Sequence, residues 1–169
     1  MLDVFEMQKM KHISLALIGD QKVGKTTIVK LLNKEIESQG TTYQLSTGDI
    51  LYTIWELQTS SFEPARIEVF SKSFLEASHP YYRFVIIVSD SSKEDVNKIS
   101  FSLNYLRQIF QKTRLALIAN KQDLEGRLPS KHIEKMVKVP TLGLSAIKQS
   151  HRNRLLNFVA YLIEEDTGI

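Results

Sequence analysis

Gly19-Asp20-Gln21-Lys22-Val23-Gly24-Lys25-Thr26 fits the pattern G-x-x-x-x-G-K-[ST] in full. Glycine at Gly19 and Gly24 lets the chain turn tightly and bring its backbone close to phosphate oxygens. Successive backbone N–H groups in such a loop form an anion nest, and a helix that starts at its end adds partial positive charge. In this pattern Lys25 reaches the β- and γ-phosphates and the Thr26 hydroxyl holds Mg²⁺. The chemistry indicated is the binding of a nucleoside triphosphate. Asp20, Gln21, Lys22, Val23 and Thr27 complete the set of residues that would line it.

A second stretch, Asn120-Lys121-Gln122-Asp123, follows the apolar run Leu115 to Ala119 and so falls at the C-terminal end of a strand. That is the rim on which open parallel sheets bind ligands. A carboxylate at Asp123 can accept two hydrogen bonds, from the N1–H and the exocyclic amine of guanine. Adenine has no such donor pair. The Lys121 stem can lie across the base plane, and Asn120 can tie this loop to the phosphate loop. Leu144-Ser145-Ala146 follows the last expected strand, where a small residue and a backbone N–H could meet the guanine O6. The histidines, His12, His79, His132 and His151, are scattered without an i, i+4 pair, and no metal site is expected of them.

These loops need a frame, and the pattern of the chain supplies one. Strand-like runs at His12–Ile18, Phe84–Val88, Leu115–Ala119 and Val139–Leu144 alternate with helical stretches at 25–38, 93–111, 130–137 and 152–164. In the long helix Val96, Ile99, Leu103, Leu106 and Phe110 recur every three or four residues; in the last, Leu155, Leu156, Val159, Leu162 and Ile163 form one stripe. Ile50–Leu57 and Arg66–Phe70 read as two further strands, joined by a polar connection containing Pro64 into an antiparallel hairpin. Strands separated by helices imply right-handed crossovers and a mostly parallel sheet. The expected fold is a single α/β domain of the P-loop type, with six strands, one of them antiparallel at an edge, and helices on both faces. Residues 12–169 would form it, with 1–11 as an extension.

Composition agrees. The chain has 169 residues, 43% apolar and 24% charged, which suits one ordinary globular domain. It has no cysteine, which excludes disulfides, thiolate metal sites, a cysteine nucleophile and cysteine-linked lipid anchors. Its 22 basic and 19 acidic residues give +3, far too small a surplus to argue for nucleic acid. No apolar run approaches the roughly 20 residues of a membrane span, and Leu2 excludes N-terminal myristoylation. The short stretch Met1–His12 carries Leu2, Phe5 and Met10 beside Asp3 and Glu6, which argues against firm membrane anchoring. The cytoplasm is the simplest address.

Taken together, the chain resembles a small GTPase of the Ras superfamily. The loop Gly19-Asp20…Val23-Gly24-Lys25-Thr26 is similar to that of Rab proteins, and Asn120-Lys121-Gln122-Asp123-Leu124 to the Arf form. The resemblance implies GTP or GDP with Mg²⁺, a two-state switch, and regulatory or effector proteins as partners.

It also exposes a departure. The family carries Asp-x-x-Gly after its third strand, usually followed by the glutamine that orients the attacking water. One alignment sets Trp55-Glu56-Leu57-Gln58-Thr59-Ser60 against that segment, so that Glu56 replaces the aspartate, Thr59 the glycine and Ser60 the glutamine. The other takes Arg66–Phe70 as the third strand and puts the motif near Ser71-Lys72-Ser73-Phe74. The strand count favours the second, and a long hairpin of this kind is also similar to the bacterial polarity GTPases. Under either, no glutamine stands in register; Gln58, Ser60 and Gln21, in the phosphate loop, are the candidates for catalysis. Slow hydrolysis is expected, or hydrolysis only with a partner's groups. The threonine that the first switch would offer to Mg²⁺ is Thr41, Thr42 or Thr47, with Thr47-Gly48 nearest to the family's T-x-G. A second reading is a non-hydrolysing pseudo-GTPase, in which bound nucleotide stabilises an interaction module. A third, a P-loop kinase of small molecules, leaves Asn120–Asp123 without a role.

Overall fold

The computed structural model describes residues 11–33, 38–58, 62–77 and 82–167. A seven-stranded sheet in the order β2-β3-β4-β1-β5-β6-β7 carries the fold. The strands are β1 (Lys11–Gly19), β2 (Ser38–Gln39), β3 (Thr42–Thr47), β4 (Ile50–Gln58), β5 (Tyr82–Ser89), β6 (Arg114–Ala119) and β7 (Thr141–Gly143). The five helices among the described residues are α1 (Lys25–Leu32), α2 (Pro64–Ala77), α3 (Lys93–Ile109), α4 (Ser130–Val137) and α5 (Arg152–Thr167). β1 pairs in parallel with β4 and β5, and β5, β6 and β7 continue the parallel run. β3 is antiparallel to β4, and the two-residue β2 extends that edge. Six strands, one antiparallel to the rest, match the number and directions expected from the sequence, with β3 in place of Arg66–Phe70; β2 is a short addition to them.

Strand alternation divides the core. Ile13, Leu15 and Leu17 of β1 face one way, with α1 and α5 packed over them. Ala16 and Ile18 face the other, under α2, α3 and α4. Strands buried on both faces read as continuous apolar runs, and Phe84–Val88 and Leu115–Ala119 are buried throughout. All the parallel strands end on one rim, where Gly19, Gln58, Ser89, Ala119 and Gly143 stand side by side.

Two expectations are corrected. Arg66–Phe70 is not a strand but part of α2, which begins at Pro64, a residue suited to the first helical turn because it lacks an N–H. Ile67, Ser71 and Phe74 are buried at helical spacing, while Val69, which a strand would have placed beside Ile67, is 69% exposed. The antiparallel hairpin is therefore β3–β4, turning at Gly48 with φ 57°, and not a pairing of 50–57 with 66–70. The first helix is also shorter than expected. It ends at Leu32 because Asn33 is already extended at φ −149°, and Ser38, expected in that helix, lies in β2. Among the described residues, no helix is long and apolar enough to cross a membrane.

Candidate functional site

The rim at the strand ends gathers most of the residues singled out above. Gly19 leaves β1 so close to β5 that a Cβ there would lie 2.4 Å from the Val88 carbonyl oxygen. Gly24 caps α1 at φ 103°, and a Cβ on it would meet Asn120 Nδ2 at 2.3 Å. Between them Lys22 adopts φ 62°, and Gln21 and Lys22 are exposed. Lys25 is 3% exposed, with Nζ donating to the carbonyls of Gly19 (2.8 Å) and Asp20 (2.7 Å). An ammonium has three N–H donors, so one remains for an anion. Burial pulls the Lys25 pKa below its ordinary value, against the opposing pull of Glu56, Asp20 and Asp95. Asp20 in turn faces Lys98 of α3 at 3.5 Å.

Asn120 joins this loop to the next. Its Nδ2 donates to the Val23 carbonyl, and its Oδ1 accepts from the Ala146 N–H, both at 2.9 Å. The Ala146 amide, in the stretch expected beside guanine O6, is thus engaged by Asn120. Asp123 is exposed at the end of the loop, and the Ser145 hydroxyl donates to its Oδ1, holding the carboxyl below the ordinary carboxylate range. Lys121 stands at φ 60° and, with Lys22, Gly24, Thr27, Asn120, Asp123, Ser145 and Ala146, lines one cleft of about 260 Å³. Leu124 and Ile147 form its apolar lips. The second motif and the phosphate loop therefore share a cavity.

A second cleft opens on the other side of Thr26, lined by Gly40, Thr41, Tyr43, Glu56, Leu57 and Phe70. Glu56 is buried, and the Thr26 hydroxyl contacts both its carboxylate oxygens, at 2.9 and 3.1 Å. The Tyr43 hydroxyl donates to Oε2 at 3.1 Å. This decides the alignment left open by the sequence. β4, parallel to β1 with Gln58 opposite Gly19, delivers Glu56 to Thr26, whereas Ser71-Lys72-Ser73-Phe74 lie within α2. The preference for the second alignment is corrected: its third strand is helical, and it is Glu56, the residue the first alignment singles out, that meets Thr26.

Thr47 is corrected too. It pairs with Ile50, which pairs with Lys11, so it sits at the far end of the sheet, roughly 26 Å of strand from Gly19 at 3.3 Å per residue. Thr41 lines the cleft instead, its carbonyl accepting from the Glu56 N–H at 2.8 Å. Gln58 ends β4 on the rim, and Ser60 lies outside the described residues. The Thr26 hydroxyl and the Glu56 carboxylate, side by side in this cleft, are hard oxygen donors of the kind Mg²⁺ takes. Tyr43 gave no signal in the sequence, being one alternating aromatic in a strand. Gln122, which joins Ser91 and the Leu128 carbonyl (2.8 and 3.0 Å), occupies the variable place of its motif.

No family model matches the chain. It is 28% identical over 160 residues to the ADP-ribosylation factor-like protein alp41 of Schizosaccharomyces pombe, covering 89% of this chain and 80% of that one. In fold it is similar to the G-domain of FeoB from Methanococcus jannaschii, with TM-score 0.67 and 21% identity over 92% of this chain and 99% of the other. The Arl6 BBS3 small GTPase from Trypanosoma brucei, solved with the nucleotide analogue GppNp, superimposes with TM-score 0.68 and 12% identity, again over 92% and 99%.

Proposed function

We propose that this chain, a Ras-superfamily small GTPase by its sequence relatives and its fold together, binds GTP and GDP as a switch and hydrolyses GTP slowly or only with a partner's help. The observation that carries this is the Asn120 side chain, bonded at once to Val23 of the phosphate loop and Ala146 of the base loop. It ties the phosphate loop to the loop preceding Asp123, as a nucleotide spanning both would require. In this reading the backbone of residues 20–26 cradles phosphate, Lys25 supplies its remaining donor, and Asp123 selects guanine. Lys121 and the Ile147 side chain border the base.

Thr26 is the expected ligand of Mg²⁺, with Glu56 and Thr41 beside it; the cation would neutralise charge on the phosphates. Glutamate is one methylene longer than the family's aspartate and is braced by Tyr43 as well as Thr26. Gln21 belongs to the phosphate loop and Gln58 pairs with Gly19 at the end of β4, and neither follows Glu56 in the family's register. Slow intrinsic turnover follows from that. The same features support the second reading, a nucleotide-stabilised interaction module that does not hydrolyse.

Titration with a fluorescent GDP analogue and a single-turnover GTP time course test both. Asp123→Asn should weaken GDP binding at least tenfold, about 1.4 kcal/mol, and relax discrimination against xanthosine nucleotide. Lys25→Ala should abolish tight triphosphate binding; unchanged affinity removes the phosphate-loop role. Hydrolysis as fast as in relatives with the full Asp-x-x-Gly motif contradicts slow turnover, and none over many hours favours the interaction module.

A further inference from the structure

The loop that borders the base is closed by a histidine outside both motifs. His151 ends the 3₁₀ turn Gln149–His151 that leads into α5. Its Nδ1 accepts the Ser145 N–H at 2.9 Å. Ser145 is 1% exposed, so with the imidazole in place its amide has this nitrogen rather than water as partner. The turn is tight: the Lys148 N–H donates to the Ser145 carbonyl at 3.0 Å, and the His151 N–H to the Lys148 carbonyl at 2.9 Å. Ser145 is thereby held by its amide and its carbonyl while its hydroxyl holds Asp123.

We propose, on the reading of Asp123 as the guanine-recognising residue, that neutral His151 is a positioning residue for base recognition, fixing Ser145 and through it the Asp123 carboxylate. An imidazole whose Nδ1 accepts carries its proton on Nε2; the imidazolium has no lone pair to offer. Protonation of His151 would therefore orphan a buried backbone N–H and free the loop that carries the carboxylate's partner.

The surroundings favour the neutral form. Burial lowers the His151 pKa below its ordinary value of 6.5, the Arg154 and Lys148 cations act in the same direction, and Asp123 and the Ser145 backbone contact oppose them with less effect. Arg154 is itself turned to the Gly143 carbonyl at 2.7 Å, and Arg152, on the other side, to the Leu32 carbonyl at 3.0 Å. Because the folded value lies below the unfolded one, the contact is complete above the ordinary value and is lost as pH falls through the folded one.

The test compares wild type, His151→Ala and His151→Asn for binding of a fluorescent GDP analogue and of pyrophosphate between about pH 5 and 8. The asparagine amide oxygen can stand where Nδ1 accepts, and it does not titrate. His151→Ala should weaken GDP binding about five- to tenfold. His151→Asn should restore it to within about twofold and lose the extra acid-side weakening of the wild type. Pyrophosphate, which reaches only the phosphate loop, should bind all three alike. GDP affinity unchanged in His151→Ala, equal losses for GDP and pyrophosphate, or one pH profile for wild type and His151→Asn would each overturn the proposal. The reading beneath it fails differently, through unchanged GDP and xanthosine affinities in Asp123→Asn. In the free protein, a proton found on Nδ1 in long-range ¹⁵N–¹H spectra overturns the inference with no nucleotide present.

Discussion

At Gly24 two demands meet on one residue. Its φ of 103° lies in the region that only glycine adopts freely, and the space where a Cβ would sit is taken by Asn120 Nδ2 at 2.3 Å. Gly24→Ala must therefore strain the backbone and push away the side chain that joins the two loops. A cost of about 2–4 kcal/mol in urea unfolding is expected, with loss of GDP binding beyond that of a merely destabilised protein. The glycine pattern was legible in the sequence because it follows from phosphate chemistry; its second reason, the approach of Asn120 from a distant loop, was not. Glu56 shows the opposite case. Its identity stood in the sequence, but only the pairing of Gly19 with Gln58 puts its carboxylate on Thr26.

Elements were legible in proportion to their length. The long stripe of α3 and the apolar runs of β5 and β6 have one reading each, because seventeen residues of helical spacing or a fully buried run leave little choice. Arg66–Phe70 is too short for that: Ile67 and Val69 suit a strand as well as Ile67 and Phe70 suit a helix. The choice is made by tertiary packing. Phe74, with its ring 6.1 Å from Trp55, 6.0 Å from Phe70 and 6.4 Å from Phe110, is fully buried only if the segment is helical. That misreading carried the motif alignment with it, since the alignment was chosen on the strand count. Thr47 was favoured by the local Thr47-Gly48 pattern, which says nothing of which end of the sheet it reaches. Phe74→Ala should remove the anchor of α2 at a cost of about 3–5 kcal/mol. Urea unfolding would measure it, and a change below about 1 kcal/mol would show that α2 is held elsewhere.

Across the whole molecule the candidate site is assembled from both halves of the sheet. β1 and α1 carry the phosphate loop, β6 and β7 carry the base loop, and the Asn120–Val23 bond spans 97 residues of chain between them. A nucleotide touching both loops would add a second tie between the same halves, so binding and folding are linked. At a GDP concentration of 100 times its Kd, the stabilisation is about 2.7 kcal/mol, which for a domain of this size raises the melting temperature by roughly 5–10 °C. Asn120→Ala leaves Lys25 and Asp123 in place but orphans the Val23 carbonyl and the Ala146 N–H, both buried. At the same GDP concentration its melting temperature should rise by less than half as much as the wild type's, whereas pyrophosphate should shift the two proteins more nearly alike. An equal response to GDP would mean that the loops bind independently and that the tie has no part in recognition.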